Sequence, residues 1–121
     1  MATLTSTLQL VSSDVSSDAL SINQTKALTV TNPSVDIARQ LVETTGQFNI
    51  LTAAANTSIT YVYLKNADTT NIITIKDDAG NSHMDLGPSE MAFFPVKGAV
   101  GLEATANTAA CILEYGFWTK S

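Results

Sequence analysis

The sequence predicts an all-β fold: an antiparallel β-sandwich, jelly-roll-like, of about nine or ten short strands. Three observations predict it. Apolar and polar residues alternate at period two in one segment after another. Thr and Ser supply close to a quarter of the chain, and only 14% of residues are charged, against about 25% in an ordinary domain. Clusters of Asn, Asp, Ser, Gly and Pro punctuate the apolar segments at short intervals. With 121 residues, one core must serve the whole chain, so residues 1–121 are expected to form a single domain. The 45% hydrophobic content excludes a disordered tail. No repeat of fixed period appears, which argues against a solenoid or propeller.

Leu4, Leu8 and Leu10 alternate with Thr3, Thr5, Thr7 and Gln9, the pattern of a strand with one buried face. Ser12-Ser13-Asp14 and Ser16-Ser17-Asp18 form a polar break, after which Leu20 and Ile22 resume the alternation. Leu28 and Val30 repeat it beyond Asn23-Gln24-Thr25-Lys26, so two strands joined by a turn are expected across residues 20–30. Asn32-Pro33-Ser34 should end the second of them, because proline donates nothing to a ladder. Residues 35–43 admit two readings. Val35, Ala38, Leu41 and Val42 would share a helical face capped by Ser34. Ile37, Arg39, Leu41 and Glu43 also alternate with Ala38, Gln40 and Val42, and the Thr44-Thr45-Gly46 that follows favours a strand.

Beyond residue 48 the strand pattern is plainer. Phe48, Ile50 and Leu51 precede the loop Ala53-Ala54-Ala55-Asn56, and the β-branched and aromatic run 58–65 follows. Asn66-Ala67-Asp68-Thr69-Thr70 is expected to turn that run back on the strand 71–76 as a hairpin. Asp77-Asp78-Ala79-Gly80-Asn81 forms a further turn, with Gly80 free to take positive φ. Met84 with Leu86, the segment 90–96, Val100 with Leu102, and the segment 111–118 complete the strands. Leu20, Ile22, Val62, Leu64, Ile73, Ile75, Leu113 and Tyr115 are the expected core. Ile59, Tyr61, Tyr63 and Ile72 remain on opposite faces, too apolar simply to meet water. They should be covered by loops or by another subunit, together with Leu4, Leu8 and Leu10 of a segment 1–12 that is able to act as an exchanged or docking strand.

The charge pattern excludes some partners. Six basic against eleven acidic residues give a net charge of −5, with no basic stripe to neutralise phosphates, so neither nucleic acid nor a membrane surface is an expected partner. The first residues carry no basic segment followed by an apolar core, so a signal peptide is not expected, and no apolar run has the length of a membrane helix.

Chemistry is sparse as well. His83 is the one histidine, beside Ser82 at a turn edge, and no Gly-x-Ser-x-Gly elbow exists. Glu43, Glu90, Glu103 and Glu114 are scattered over separate strands rather than paired by any motif. Asp77, Asp78, Asn81 and Asp85 ring a turn, but the glycine comes too early for a calcium loop. Cys111 is the one cysteine and belongs to an apolar run, which suits a buried thiol. No catalytic residue, metal site or cofactor is expected. A shaped surface for binding or assembly is.

Ile59-Thr60-Tyr61-Val62-Tyr63-Leu64-Lys65-Asn66, Thr69-Thr70-Asn71-Ile72-Ile73-Thr74-Ile75 and Leu86-Gly87-Pro88-Ser89-Glu90 with Phe93-Phe94-Pro95 carry a resemblance. They are similar to small virion proteins of tailed bacteriophages, cyanophages especially. Ser89 stands where those proteins more often have glycine. The ending Leu113-Glu114-Tyr115-Gly116-Phe117-Trp118 is in the same style. The resemblance covers about half the chain. It implies a capsid cement (head decoration) protein whose partners are the major capsid protein and further copies of itself, as a homotrimer or other symmetric cluster. It also implies assembly in the host cytoplasm and residence on the outer surface of the virion. The competing expectations are another virion component (tail, neck or fibre) and a carbohydrate-binding β-sandwich using Trp118.

Overall fold

The structure is a computed structural model that describes residues 2–31 and 35–121. Ten strands follow one another: β1 (Ala2–Ser12), β2 (Leu20–Val30), β3 (Val35–Val42), β4 (Phe48–Leu51), β5 (Thr60–Asn66), β6 (Ile73–Asp77), β7 (Ser82–Leu86), β8 (Met91–Val96), β9 (Leu102–Ala106) and β10 (Cys111–Thr119). Among the described residues there is no helix. Residues 35–42 are strand, the favoured of the two readings, while the expected stop at Asn32-Pro33-Ser34 lies outside the described residues.

Eight strands form two four-stranded antiparallel sheets, ordered β3-β10-β5-β8 and β4-β9-β6-β7. Successive strands alternate between the sheets except for the β6–β7 hairpin, which is the strand order of a jelly roll. The core lies between them. Val62, Leu64, Ile73, Ile75 and Leu113 are wholly buried there, as the alternation predicts, and Tyr115 packs against them at the rim with its ring on Phe48. Cys111 is buried in the same cluster.

Three expectations need correction. Residues 58–65 and 71–76 do not form a hairpin: β5 pairs with β10 and β8, whereas β6 pairs with β9 and β7. The connection has no glycine to take the positive φ of a tight hairpin turn. Instead, Asp68 Oδ2 accepts from the backbone N–H groups of Thr70 and Asn71, bending the chain across to the other sheet. Secondly, residues 20–30 are one strand without a turn. Asn23–Lys26 pair with Gln9–Ser6 in unbroken register; they are polar because they are exposed, and they lack the Gly or Pro that would break a ladder. Thirdly, Leu20 and Ile22 do not face the sandwich core. They are half-buried residues of β2, which belongs to a separate two-stranded sheet with β1.

This β1–β2 hairpin is an arm. Its eleven register pairs run from Ala2↔Val30 at the root to Ser12↔Leu20 at the tip. The Ser12 hydroxyl fixes the start of the tip loop, accepting from the N–H groups of Asp14 and Val15. Val30 is buried and bridges to Lys120. Thr31 N donates to Thr119 O at 2.9 Å and Ser121 N to Thr29 O at 3.0 Å, tying the root to the end of β10.

Two buried asparagines bracket β5. Asn56 donates to the carbonyls of Lys97 and Val100 and accepts from the Thr60 hydroxyl. Asn66 donates to the carbonyls of Asn71 and Leu86 and accepts from Asp68 N–H. Among the described residues no buried side-chain nitrogen or oxygen lacks a partner. Replacing Asn66 by Leu keeps the volume but strands two carbonyls and an N–H, so Asn66→Leu should lower the unfolding free energy in urea by about 3 kcal/mol. Ser89, with φ of 62°, holds the left-handed conformation that glycine adopts without steric cost. Ser89→Gly should therefore raise stability, by about 0.5–1 kcal/mol in the same titration.

Candidate assembly surface

In the β3-β10-β5-β8 sheet the residues that alternate with the core set point outward, and the register arranges them in rows across the strands. Arg39, Glu114, Lys65 and Met91 form one row; Gly116, Tyr63 and Phe93 the next; Trp118, Tyr61 and Pro95 the third. Ile37, Leu41 and Ile112 are exposed on the β3–β10 side. Beyond the charged Arg39–Glu114–Lys65 row, the face is therefore apolar and aromatic.

Its order comes from specific contacts. Tyr61 and Phe93 stack with ring centroids 6.1 Å apart and planes 16° from parallel, an arrangement aromatic pairs favour. Ile37 and Trp118 close over Gly116, where a Cβ would lie 2.7 Å from Ile37 Cδ1. Only glycine leaves room for them. The Tyr63 hydroxyl donates to Glu114 Oε1 at 2.8 Å, and Arg39 Nε donates to Glu114 Oε2 at 3.2 Å. The Tyr63 hydrogen bond, with Arg39 behind it, holds the Glu114 carboxyl below its ordinary range. Desolvation, then Glu114 itself, pushes the Tyr63 phenol up. The pair thus stays in one protonation state through neutral pH, and the anion on this face is neutralised locally.

The arm lies beside this face. Between them is a groove of about 540 Å³, walled by Leu4 to Leu8 of β1 and by Met91, Ala92 and Phe93 of β8, with Tyr63 and Trp118 also lining it. No lining residue is charged.

The structure separates the residues singled out from the sequence. Tyr61 and Tyr63 share the outer face, with Ile59 exposed just ahead of β5. Leu4 and Leu8 line the groove, and Leu10 stands exposed towards the arm tip. Ile72 is exposed next to β6 in the other sheet, so it does not join them. Met91 and Phe93 complete the groove but carry no sequence signal of their own. Their alternation with Ala92 and Phe94 is visible, but not the pairing of β8 with β5. Trp118 faces outward into the groove.

Elsewhere the polar clusters have local partners. Asp77 accepts from His83 Nε2 at 2.9 Å and from the N–H groups of Ala79 and Asn81, across a turn in which Gly80 takes φ of 90°. The His83 hydrogen bond, followed by that from Asn81, lowers the Asp77 pKa to about 2. Burial raises the Cys111 thiol pKa, which leaves it protonated and unreactive at neutral pH. Among the described residues no three His, Cys, Asp or Glu side chains are grouped to hold a metal ion.

Comparison with models of known protein families, with curated proteins and with solved structures finds no match for this chain.

The Asp77 hydrogen bonds carry a pH signature. The folded carboxyl titrates near 2 and the unfolded one near 3.8. Their contribution is therefore complete above pH 3.8 and is lost as pH falls towards 2. Asp77→Asn should flatten that part of the acid branch when denaturation midpoints are measured across the window.

Proposed function

We propose that the protein is a non-enzymatic structural component of a phage virion: a capsid cement protein that binds the outer surface of the shell as a symmetric oligomer, with a trimer favoured. The observation that carries the reading is the outer face of β3-β10-β5-β8, where Tyr61, Tyr63, Phe93, Met91, Trp118 and Ile37 make a continuous apolar and aromatic surface. Interfaces are enriched in such residues and depleted of Asp, Glu and Lys at their centre. The neutralised Arg39–Glu114 pair sits among them. The net charge of −5 suits a protein kept on the outside of a shell, away from packaged DNA. The resemblance of residues 59–94 to phage virion proteins supplies the capsid; the surface supports association.

The stacked Tyr61–Phe93 pair also favours a sugar-binding platform. That reading is the weaker one, because the groove lining offers hydroxyls from Thr5, Ser6, Thr7 and Tyr63 but no side-chain amide or carboxylate. Sugar sites need such groups to fix orientation.

Gold-labelled antibody against the protein should decorate the heads of intact virions uniformly in electron micrographs. Heads from a virus lacking it should rupture at lower temperature and recover when the purified protein is added back. Label confined to tails, or unlabelled virions, would overturn the cement assignment.

A further inference from the structure

The arm is longer than the sheet beside it. Eleven residues at about 3.4 Å each give a strand about 37 Å long, whereas the seven residues of β5 cover about 24 Å. The root is pinned to residues 119–121 and residues 4–8 flank the groove, which leaves the tip end of the hairpin uncovered. Leu8, Leu10, Ile22 and Leu20 lie on one side of that end by register. Leu10 is 46% exposed, and Val11, on the opposite side, 66%. A two-stranded ribbon is marginal in water without something against its apolar side. On the apolar side Leu8 and Leu10 remain exposed, while Leu20 and Ile22 are half-buried.

The groove has complementary properties. Its walls are two end strands, β1 and β8, each paired on one side only. Consecutive residues from both strands line it, and each of these strands has one edge without a partner strand. Such edges accept a further strand through main-chain hydrogen bonds. Charge selects the visitor. Copies of a chain with net charge −5 repel one another, and an uncharged groove is where they can meet. The arm's tip loop carries Asp14 and Asp18 and no basic residue, whereas Lys65 on the outer face pairs in register with Met91 of the groove wall.

We propose that the tip of one copy's β1–β2 arm seats in the β1/β8 groove of a second copy, so that the protein assembles head to tail through an apolar, strand-edge contact. The contact is heterologous, each copy giving one arm and receiving one, and closing it at three copies produces a ring. The inference deepens the assembly reading of this surface and rests on it, but it does not depend on the capsid.

Sedimentation equilibrium of the full chain at micromolar concentrations tests it. Leu10→Asp at the tip and Phe93→Asp in the groove should each weaken self-association about 100-fold, with far-UV circular dichroism unchanged. Mixing the two variants should restore one association event, giving a 1:1 dimer, because the mixture retains one sound tip and one sound groove. If either variant unfolds, Leu10→Cys and Met91→Cys chains in a Cys111→Ser background serve instead. When mixed and oxidised, they should form the crossed disulfide in preference to either homodimer. Failure of the mixture to associate, or association lost with the tip variant alone, would overturn the proposal. A wild-type monomer that still binds virus heads would overturn it too and leave the cement reading standing. A head-to-tail oligomer that binds no head would do the reverse.

Discussion

Two side-chain amides, those of Asn56 and Asn66, set the limits within which this sandwich is built. A jelly roll sends most of its connections from one sheet to the other, and each crossing exposes backbone groups that neither ladder can satisfy. Here the asparagines flank β5, wholly buried; Asn66 bonds three backbone groups of that kind, and Asn56 bonds two together with the Thr60 hydroxyl. Burying an amide is costly unless its hydrogen-bonding capacity is used. Used in full, it stabilises one arrangement of the loops over all others. Asn56 holds the 97–100 connection and Asn66 the 67–71 crossing. The β5 strand between them is thereby fixed in place and in rotation about its axis.

The outer face inherits that order. Because the core side of β5 is locked, Tyr61, Tyr63 and Lys65 point outward, and β8 and β10 present their alternating residues at matching heights. Such rigidity favours the proposed contact role, since side chains already held in place lose little freedom on binding. The Tyr63–Glu114–Arg39 chain of hydrogen bonds serves the same end, placing a polar group within an aromatic field without leaving a bare charge.

Local pattern in the sequence carried most of the strands. The alternation at 58–65 and 111–118, and the choice of Val62, Leu64, Ile73, Ile75 and Leu113 for the core, follow from period two alone. Partnership between strands does not. The β5–β6 connection has the length and polarity of a hairpin, and its crossing depends on Asp68 capping its own loop and Asn66 reaching Leu86, contacts a linear reading cannot weigh. Asn23–Lys26 has the composition of a turn because an exposed ribbon needs no apolar residue there. Tyr61 and Tyr63 were legible as surplus apolar residues. Met91 and Phe93 were not, because their place beside them is set by a ladder between segments far apart in sequence. Ile72 was grouped with them only through the hairpin that does not form.

The stapling of the arm's root to residues 119–121 joins parts of the chain separated by about ninety positions. Contacts of that separation form late, after the loop-closure cost has been met by other structure. The arm therefore cannot be held in place until β10 has entered its sheet between β3 and β5. Before that, β1 and β2 are a loose ribbon and the wall of the groove facing β8 does not exist. Folding and completion of the groove are thus coupled in time: a nascent or misfolded chain presents no finished groove, and the proposed contact would be open only to a completed sandwich.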